Sequence, residues 1–405
     1  MNILIINHYA GSLKNGFEFR PYYFGKEFIK RGHNVFIICS SFSHLRKINP
    51  KPAETISEEI IDGIKYYWIK TPSYSGNGIK RVINIFSFIF ILYTHLKGFI
   101  KAINPDVVVA SSTYPLDIFP AAGIAKLSNA ELIFEVHDLW PLTPVEIGGM
   151  SKKNLFIMLL QIGENFACRK ADKVISILPC TKKYLIEHGM SPDKFQFIPN
   201  GIDLKEWEKD IDLPGEVMEL ILGLKNKNNF LVGYAGSIGL ANALEFLIDA
   251  AEILRDRSVS FLILGEGPDK EKLLEKSRHL KNVYFLSPIQ KDAVPKYLKM
   301  MDVLYIGFRS KPIYRFGVGT NKMYEYMMAG KPIVQSQRAG NDLVKENDCG
   351  ISVIPENPEL IADAIIALHS MSKEERERLG KNGQEYVKKN HNFTLLADKF
   401  LSAIS

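Results

Sequence analysis

Cysteine is scarce in this chain: four in 405 residues, at 39, 168, 180 and 349, with no CxxC pair. That spacing excludes a disulfide framework and a zinc knuckle, and it fits a reducing compartment. No Gly-Lys-Ser/Thr segment marks a nucleotide-triphosphate loop, and no GxGxxG marks a dinucleotide turn. No apolar run reaches the roughly 20 residues that a membrane-spanning helix needs. The apolar run Val82–Tyr93, VINIFSFIFILY, is too short. The opening MNILIINHYAG lacks a basic leader and a small-residue cleavage pattern, so it reads as a buried strand entering a loop. Short-period repeats and low-complexity tracts are missing too. So is any acidic excess in the first half: residues 1–203 carry 23 Lys/Arg against 17 Asp/Glu, and residues 204–405 carry 28 of each. The basic first half suits an anionic membrane surface or an acidic substrate. No nucleic-acid partner is expected.

What is present is alternation. Ile3–Ile6, Val35–Cys39, Val107–Ala110, Leu132–Val136 and Val174–Ile177 are short, β-branched runs, with helical stretches at Tyr22–Arg31, Ile79–Ala102, Phe119–Ser128 and Asn154–Lys170 between them. The second half repeats the plan, with strand candidates Phe230–Tyr234, Val259–Leu264, Val283–Leu286, Val303–Ile306, Pro332–Gln335 and Gly350–Ile354. This pattern predicts two α/β domains with parallel sheets, over 1–203 and 204–390, and a C-terminal helix within 391–405 returning to the first domain. Ligands of such folds bind outside the carboxyl ends of the strands, so the cleft between the domains is the expected site. The run Val82–Tyr93, with Lys80, Arg81, Lys97 and Lys101 around it, reads either as a buried core helix or as an interfacial helix gripping headgroups.

The richest stretch is GVGTNKMYEYMMAGKP, residues 317–332. Thr320, Asn321 and Lys322 stand at a helix start, where free amides and the helix dipole favour an anion. Glu325 follows one turn later, and Gly330 with Pro332 ends the helix. Phosphate donors followed by one carboxylate suit a nucleoside diphosphate, the acid accepting from ribose hydroxyls. Gly236-Ser237-Ile238-Gly239 follows a strand and offers more amides at a helix start. Glu135-Val136-His137-Asp138-Leu139-Trp140-Pro141 puts a histidine at a strand's carboxyl end, where a neutral imidazole, its tautomer fixed by a partner acid, could bind a sugar hydroxyl. The loop His8–Arg20 holds Gly16 for a close ligand approach, and Arg20 offers a fork for phosphate or carboxylate. Arg309 offers another cation. Asp210-Ile211-Asp212 has a metal-binding DxD form but lies in residues 200–229, which join the two halves, with nothing to complete a shell, so no metal is expected.

Together these pieces resemble the retaining GT-B glycosyltransferases of family 4, two Rossmann-like domains facing across a cleft. The resemblance rests on the glycine-containing first loop, Lys30-Arg31-Gly32-His33, His137, Ile198-Pro199-Asn200-Gly201-Ile202-Asp203, Gly265-Glu266-Gly267-Pro268 and Glu325…Gly330-Lys331-Pro332. The variants Glu135…Trp140-Pro141, Tyr234-Ala235-Gly236 and Thr320-Asn321-Lys322 resemble the branch that builds bacterial surface polysaccharides (O-antigen, capsule) from UDP-linked N-acetylamino or deoxy sugars.

The resemblance implies roles. His137 contacts the donor sugar, and Lys322 with Gly236 to Gly239 holds the diphosphate. Glu325 holds the ribose, and the segment around Pro288 and Ile289 faces the uracil. His137 and Lys322 are the implied catalytic residues; Gly16, Arg20 and Asp138 line the cleft. Gly317 stands where the family's first glutamate would be, which removes a donor-sugar contact. The implied reaction is transfer with retention from a UDP-sugar to a polyprenyl-diphosphate-linked saccharide, without cofactor or metal, at the cytoplasmic face of the membrane. A UDP-sugar epimerase and a non-catalytic nucleotide-sugar-binding subunit are the alternatives.

Overall fold

β1 (Asn2–Ile6) is apolar from Ile3 to Ile6, and such a run must be covered on both faces. It sits inside a sheet that does this. The computed structural model of the chain describes residues 1–76 and 78–404; Asn77 and Ser405, inside the expected 1–203 and 391–405 segments, lie outside them. The chain divides into two compact units, Met1–Asn200 with Phe393–Ser405, and Gly201–Asn392.

Among the described residues of the first unit, eight strands form one sheet in the order β3-β4-β2-β1-β5-β6-β7-β8. The others are β2 (Asn34–Ser40), β3 (Ile56–Ile61), β4 (Ile64–Ile69), β5 (Val107–Ala110), β6 (Glu131–Val136), β7 (Lys173–Ser176) and β8 (Phe195–Phe197). All pairings are parallel except the edge pair β3–β4. The five strands expected from apolar runs fall on β1, β2, β5, β6 and β7. The β3–β4 hairpin and β8 were not expected. The chain leaves β1 toward β2 on one side and later returns at β5 on the other. Loops after β1 and β5 therefore diverge, which opens a crevice at their carboxyl ends.

The expected helix Ile79–Ala102 is two helices, Ile79–Thr94 and Leu96–Ile103, bent by 63°. Among the described residues no single helix is long and apolar enough to cross a membrane. Helix Ile79–Thr94 buries Asn84, Ile85, Phe88 and Leu92 and leaves its other side exposed, so the reading of Val82–Tyr93 as a buried core helix is corrected to a helix covered on one face. The C-terminal helix Phe393–Ala403 packs on helix Arg20–Lys30. Phe393 stacks on Tyr23 at 4.7 Å, Phe400 meets Phe24 and Phe28 at 5.3 Å, and Arg31 pairs with Asp398 at 2.6 Å.

In the second unit β9 (Phe230–Ala235), β10 (Val259–Leu264), β11 (Val283–Leu286), β12 (Val303–Gly307), β13 (Ile333–Ser336) and β14 (Gly350–Val353) form a parallel sheet. Its order among the described residues is β11-β10-β9-β12-β13-β14. The reversal lies between β9 and β12, so the loop that begins at Gly236 opens at this unit's own switch point. Asp210 and Asp212, the DxD pair, both bond Lys296, at 3.1 and 2.6 Å.

Candidate functional site

Gly236 follows β9 with φ +151°, and a Cβ there would meet Lys322 Cε at 2.8 Å. The glycine thus lets the lysine lie against the backbone. Lys322 Nζ donates to Tyr234 Oη at 2.8 Å and to Asn242 Oδ1 at 2.6 Å, and it sits 4.3 Å from the centre of the Tyr234 ring. Both hydrogen-bond partners are neutral. Burial pushes the ammonium down to about 7, against the opposing pull of Glu325. Helix Asn321–Met328 starts at Thr320, whose side chain makes no cap, and Thr320 Oγ1 is buried without a partner. The first amides of a helix have no intrahelical acceptor. An uncapped helix start, an orphaned hydroxyl and a poorly balanced cation therefore share one corner, and an anion would satisfy all three. Glu325 lies one turn further in, half-buried, and burial raises its carboxyl with Lys291 opposing.

The Gly236–Gly239 loop is tighter than the sequence suggests. Gly236 N donates to Leu264 O at 3.0 Å and Ile238 N to Glu266 O at 2.8 Å. A Cβ on Gly265 or Gly267 would strike Gly236 O at 1.9 Å or Ile238 O at 2.1 Å, so these glycines let the two loops lie backbone to backbone. Two of the four amides expected to face phosphate are consequently engaged within the unit. Ser237 and Gly239 are the others. Arg309 is also engaged: it pairs with Glu245 and, at 3.6 Å, with Glu356. Pro288 and Ile289 follow β11; Pro288 is exposed and Ile289 packs half-buried on the core. Gly317 has φ +94°, where a glutamate would be strained.

The first unit's crevice is built differently. Glu135, on β6, lies buried between Arg20 and His137. Arg20 Nε and Nη2 donate to Glu135 Oε1 at 3.0 and 2.9 Å. Its remaining donors reach Ile198 O at 2.9 Å and Pro199 O at 2.7 Å. Ser111 Oγ donates to Glu135 Oε2 at 2.7 Å. His137 Nε2 meets the same oxygen at 3.0 Å, and Nδ1 meets Glu18 Oε1 at 2.9 Å. Burial alone would raise Glu135; Arg20 and then His137 outweigh it and hold the carboxyl well below its usual range. Burial alone would lower His137; Glu18 and Glu135 reverse this and raise it to about 10. The ring is an imidazolium with both nitrogens engaged.

Two expectations are corrected here. His137 is charged and held on both sides, not a neutral ring with a free nitrogen. Its acid partners are Glu18 and Glu135; Asp138 accepts from Leu139 N, Trp140 Nε1 and Thr143 Oγ1 at 2.8, 3.2 and 2.6 Å. Arg20 is no free phosphate fork, because it is 2% exposed and locked to Glu135. Gly16 has a local reason: at φ +104° it bridges Ser12 and Arg46, and a Cβ would meet Lys47 N at 2.9 Å. Sequence reasoning missed Glu18, Ser111 and Asn242 as partners. Glu18 stood beside Arg20 in the first loop, but nothing local pointed it at a ring 119 positions away.

Residues 14–206 match the family described as Glycosyltransferase Family 4, and residues 229–371 match Glycosyl transferases group 1. The chain is similar to WcaI of Escherichia coli (strain K12), named for colanic acid biosynthesis as a glycosyl transferase. The two are 29% identical over 192 residues, 46% of this chain and 47% of WcaI, so the match spans about half of that relative's length. WbjE of Pseudomonas aeruginosa, named as a glycosyltransferase, is 22% identical over 346 residues, 82% of this chain and 80% of that one. Among solved structures, Anabaena HepE in complex with UDP and glucose superposes with a TM-score of 0.68 at 16% identity, over 99% of this chain and 98% of that one. At that identity the likeness speaks for the fold, two Rossmann-like α/β units of GT-B architecture. The chain thus carries a Glycosyltransferase Family 4 domain over residues 14–206 and a Glycosyl transferases group 1 domain over residues 229–371.

Proposed function

We propose that this chain is a glycosyltransferase that moves a sugar from a UDP-sugar to a lipid-linked saccharide, with retention at the anomeric carbon, in surface-polysaccharide synthesis. The observation that carries the donor half is Lys322, a cation with neutral partners beside an uncapped helix start. A leaving diphosphate gains charge as the sugar becomes oxocarbenium-like. Lys322, the amides of Thr320 and Asn321 and the Thr320 hydroxyl would stabilise that charge from fixed positions. Glu325 would take the ribose hydroxyls. No metal is required in this scheme. His137 would act through the fixed Glu18–His137–Glu135 cluster, since neither nitrogen is free to bond a sugar hydroxyl. Support for the polysaccharide setting comes from the name of WcaI, and support for a membrane-borne acceptor from the basic first half.

One observation favours a second reading. Two carboxylates on one imidazolium resemble acid/base machinery, which a UDP-sugar epimerase would need. A thermal-shift panel of UDP and UDP-sugars tests the donor, because only a bound ligand raises the midpoint by mass action. No shift at millimolar UDP would overturn the proposal. Product analysis then separates the readings: an isomerised nucleotide sugar means epimerase, and a labelled lipid-linked saccharide with the donor's anomeric configuration means retaining transfer.

A further inference from the structure

Two helices of the first unit show apolar stripes to solvent. On Ile79–Thr94 the stripe includes Ile79, Phe86 and Phe90, the last 68% exposed. On Leu155–Lys170 it includes Leu155, Leu159 and Ile162, with Leu155 78% exposed. Each set recurs at helical spacing, so each forms one continuous face. The faces adjoin, since the rings of Phe86 and Phe156 lie 6.4 Å apart. Between the helices runs a groove of about 490 Å³, lined by Val82, Ile85, Trp140, Ile147 and Phe156. Solvated apolar surface of this extent marks a binding face. Its rim is cationic: Lys80 on one helix and Lys152 and Lys153 before the other are exposed, and Arg81 lies over the Trp140 ring at 5.5 Å.

We propose that this face docks on an anionic lipid bilayer, both helices lying in the plane of the leaflet and the groove taking one hydrocarbon chain. A second copy of the chain fits worse, because a symmetric contact would set one lysine rim against another. An anionic leaflet neutralises the rim while its acyl layer covers the stripes. The inference goes beyond the donor reading and does not depend on it.

Vesicle flotation tests the proposal. Wild-type protein should float with phosphatidylglycerol vesicles at low salt, less at high salt, and weakly with phosphatidylcholine. Phe90→Glu and Leu155→Glu should each cut partitioning more than tenfold while keeping the wild-type melting midpoint, because both positions are exposed. Lipids with brominated chains should quench tryptophan emission, and Trp140→Phe should remove most of that quenching, because Trp68 and Trp207 are buried. No flotation at low salt, or flotation unchanged by both glutamate variants, would overturn the bilayer. Quenching unchanged in Trp140→Phe would overturn the groove. A concentration-dependent dimer that Phe90→Glu dissolves, without vesicle binding, would assign the face to a second copy instead.

Discussion

The two units hold their charges in opposite ways. Around β6, Arg20, Glu135, His137 and Glu18 alternate in sign and meet at hydrogen-bond distance. Beside β9, Lys322 meets a phenol and an amide. Buried charge is costly unless paired, so the first arrangement is complete as folded and the second is not. The lesson is that a conspicuous arginine or histidine near a strand end does not by itself mark a ligand. The group left without its counter-charge does.

The largest expected effect tests the first half of that contrast. Arg20→Met would leave Glu135 buried opposite no guanidinium, and breaking a buried pair typically costs about 3–5 kcal/mol. Chemical denaturation should show a loss of that size, with UDP affinity unchanged in the folded fraction. A small loss, or a selective loss of UDP binding, would make Arg20 a ligand group and erase the difference between the units. The next effect tests the second half. Lys322→Ala should lower turnover about 10²–10³-fold, the scale seen when one pre-aimed donor to a developing charge is removed. Its melting midpoint should hold or rise, because a poorly balanced ammonium is gone. Wild-type turnover with a working donor and acceptor would break the assignment.

The smallest effect is also the sharpest, since the two units should respond to pH with opposite sign. His137 rises from 6.5 to about 10 on folding, so its stabilisation is fully present below pH 6.5 and is lost as pH climbs through 10. Lys322 falls from 10.5 to about 7, so between those values the unfolded chain holds more protons, and stability from this site grows as pH rises. Unfolding curves from pH 6.5 to 10 should therefore show His137→Gln losing least at the alkaline end and Lys322→Met gaining most near neutrality. Parallel trends in the two variants would contradict the contrast. Below pH 8 added UDP should flatten the Lys322 response, because the diphosphate supplies the missing anion.

Much of the architecture was legible because strands buried on both faces must read as apolar runs. β5 does so without exception, and β1, β9 and β10 depart from it only at Asn2, Gly233 and Ser260. The β3–β4 hairpin escaped because ISEEII carries two glutamates on an edge strand with half-exposed faces. Its turn was nonetheless written as Asp62-Gly63, both at positive φ, and that dipeptide between apolar runs is a hairpin signal. The break at His95 was not legible, since apolar residues continue on both sides of it. In the candidate site, Lys322 and Gly236 were both visible as motif residues. Their contact was not, because it depends on the lysine crossing 86 positions of sequence to lie on that glycine.

By itself, then, the sequence determined where helices and strands form and which loops follow the strand ends, since period and turn chemistry act over a few residues. Tertiary structure alone decided which charges are spent and which are spare. Arg20 finds Glu135 across 115 positions and Arg309 finds Glu245 across 64, while Lys322 donates to the neutral Tyr234 and Asn242. Electrostatic balance is a property of neighbours in space, and sequence order does not carry it.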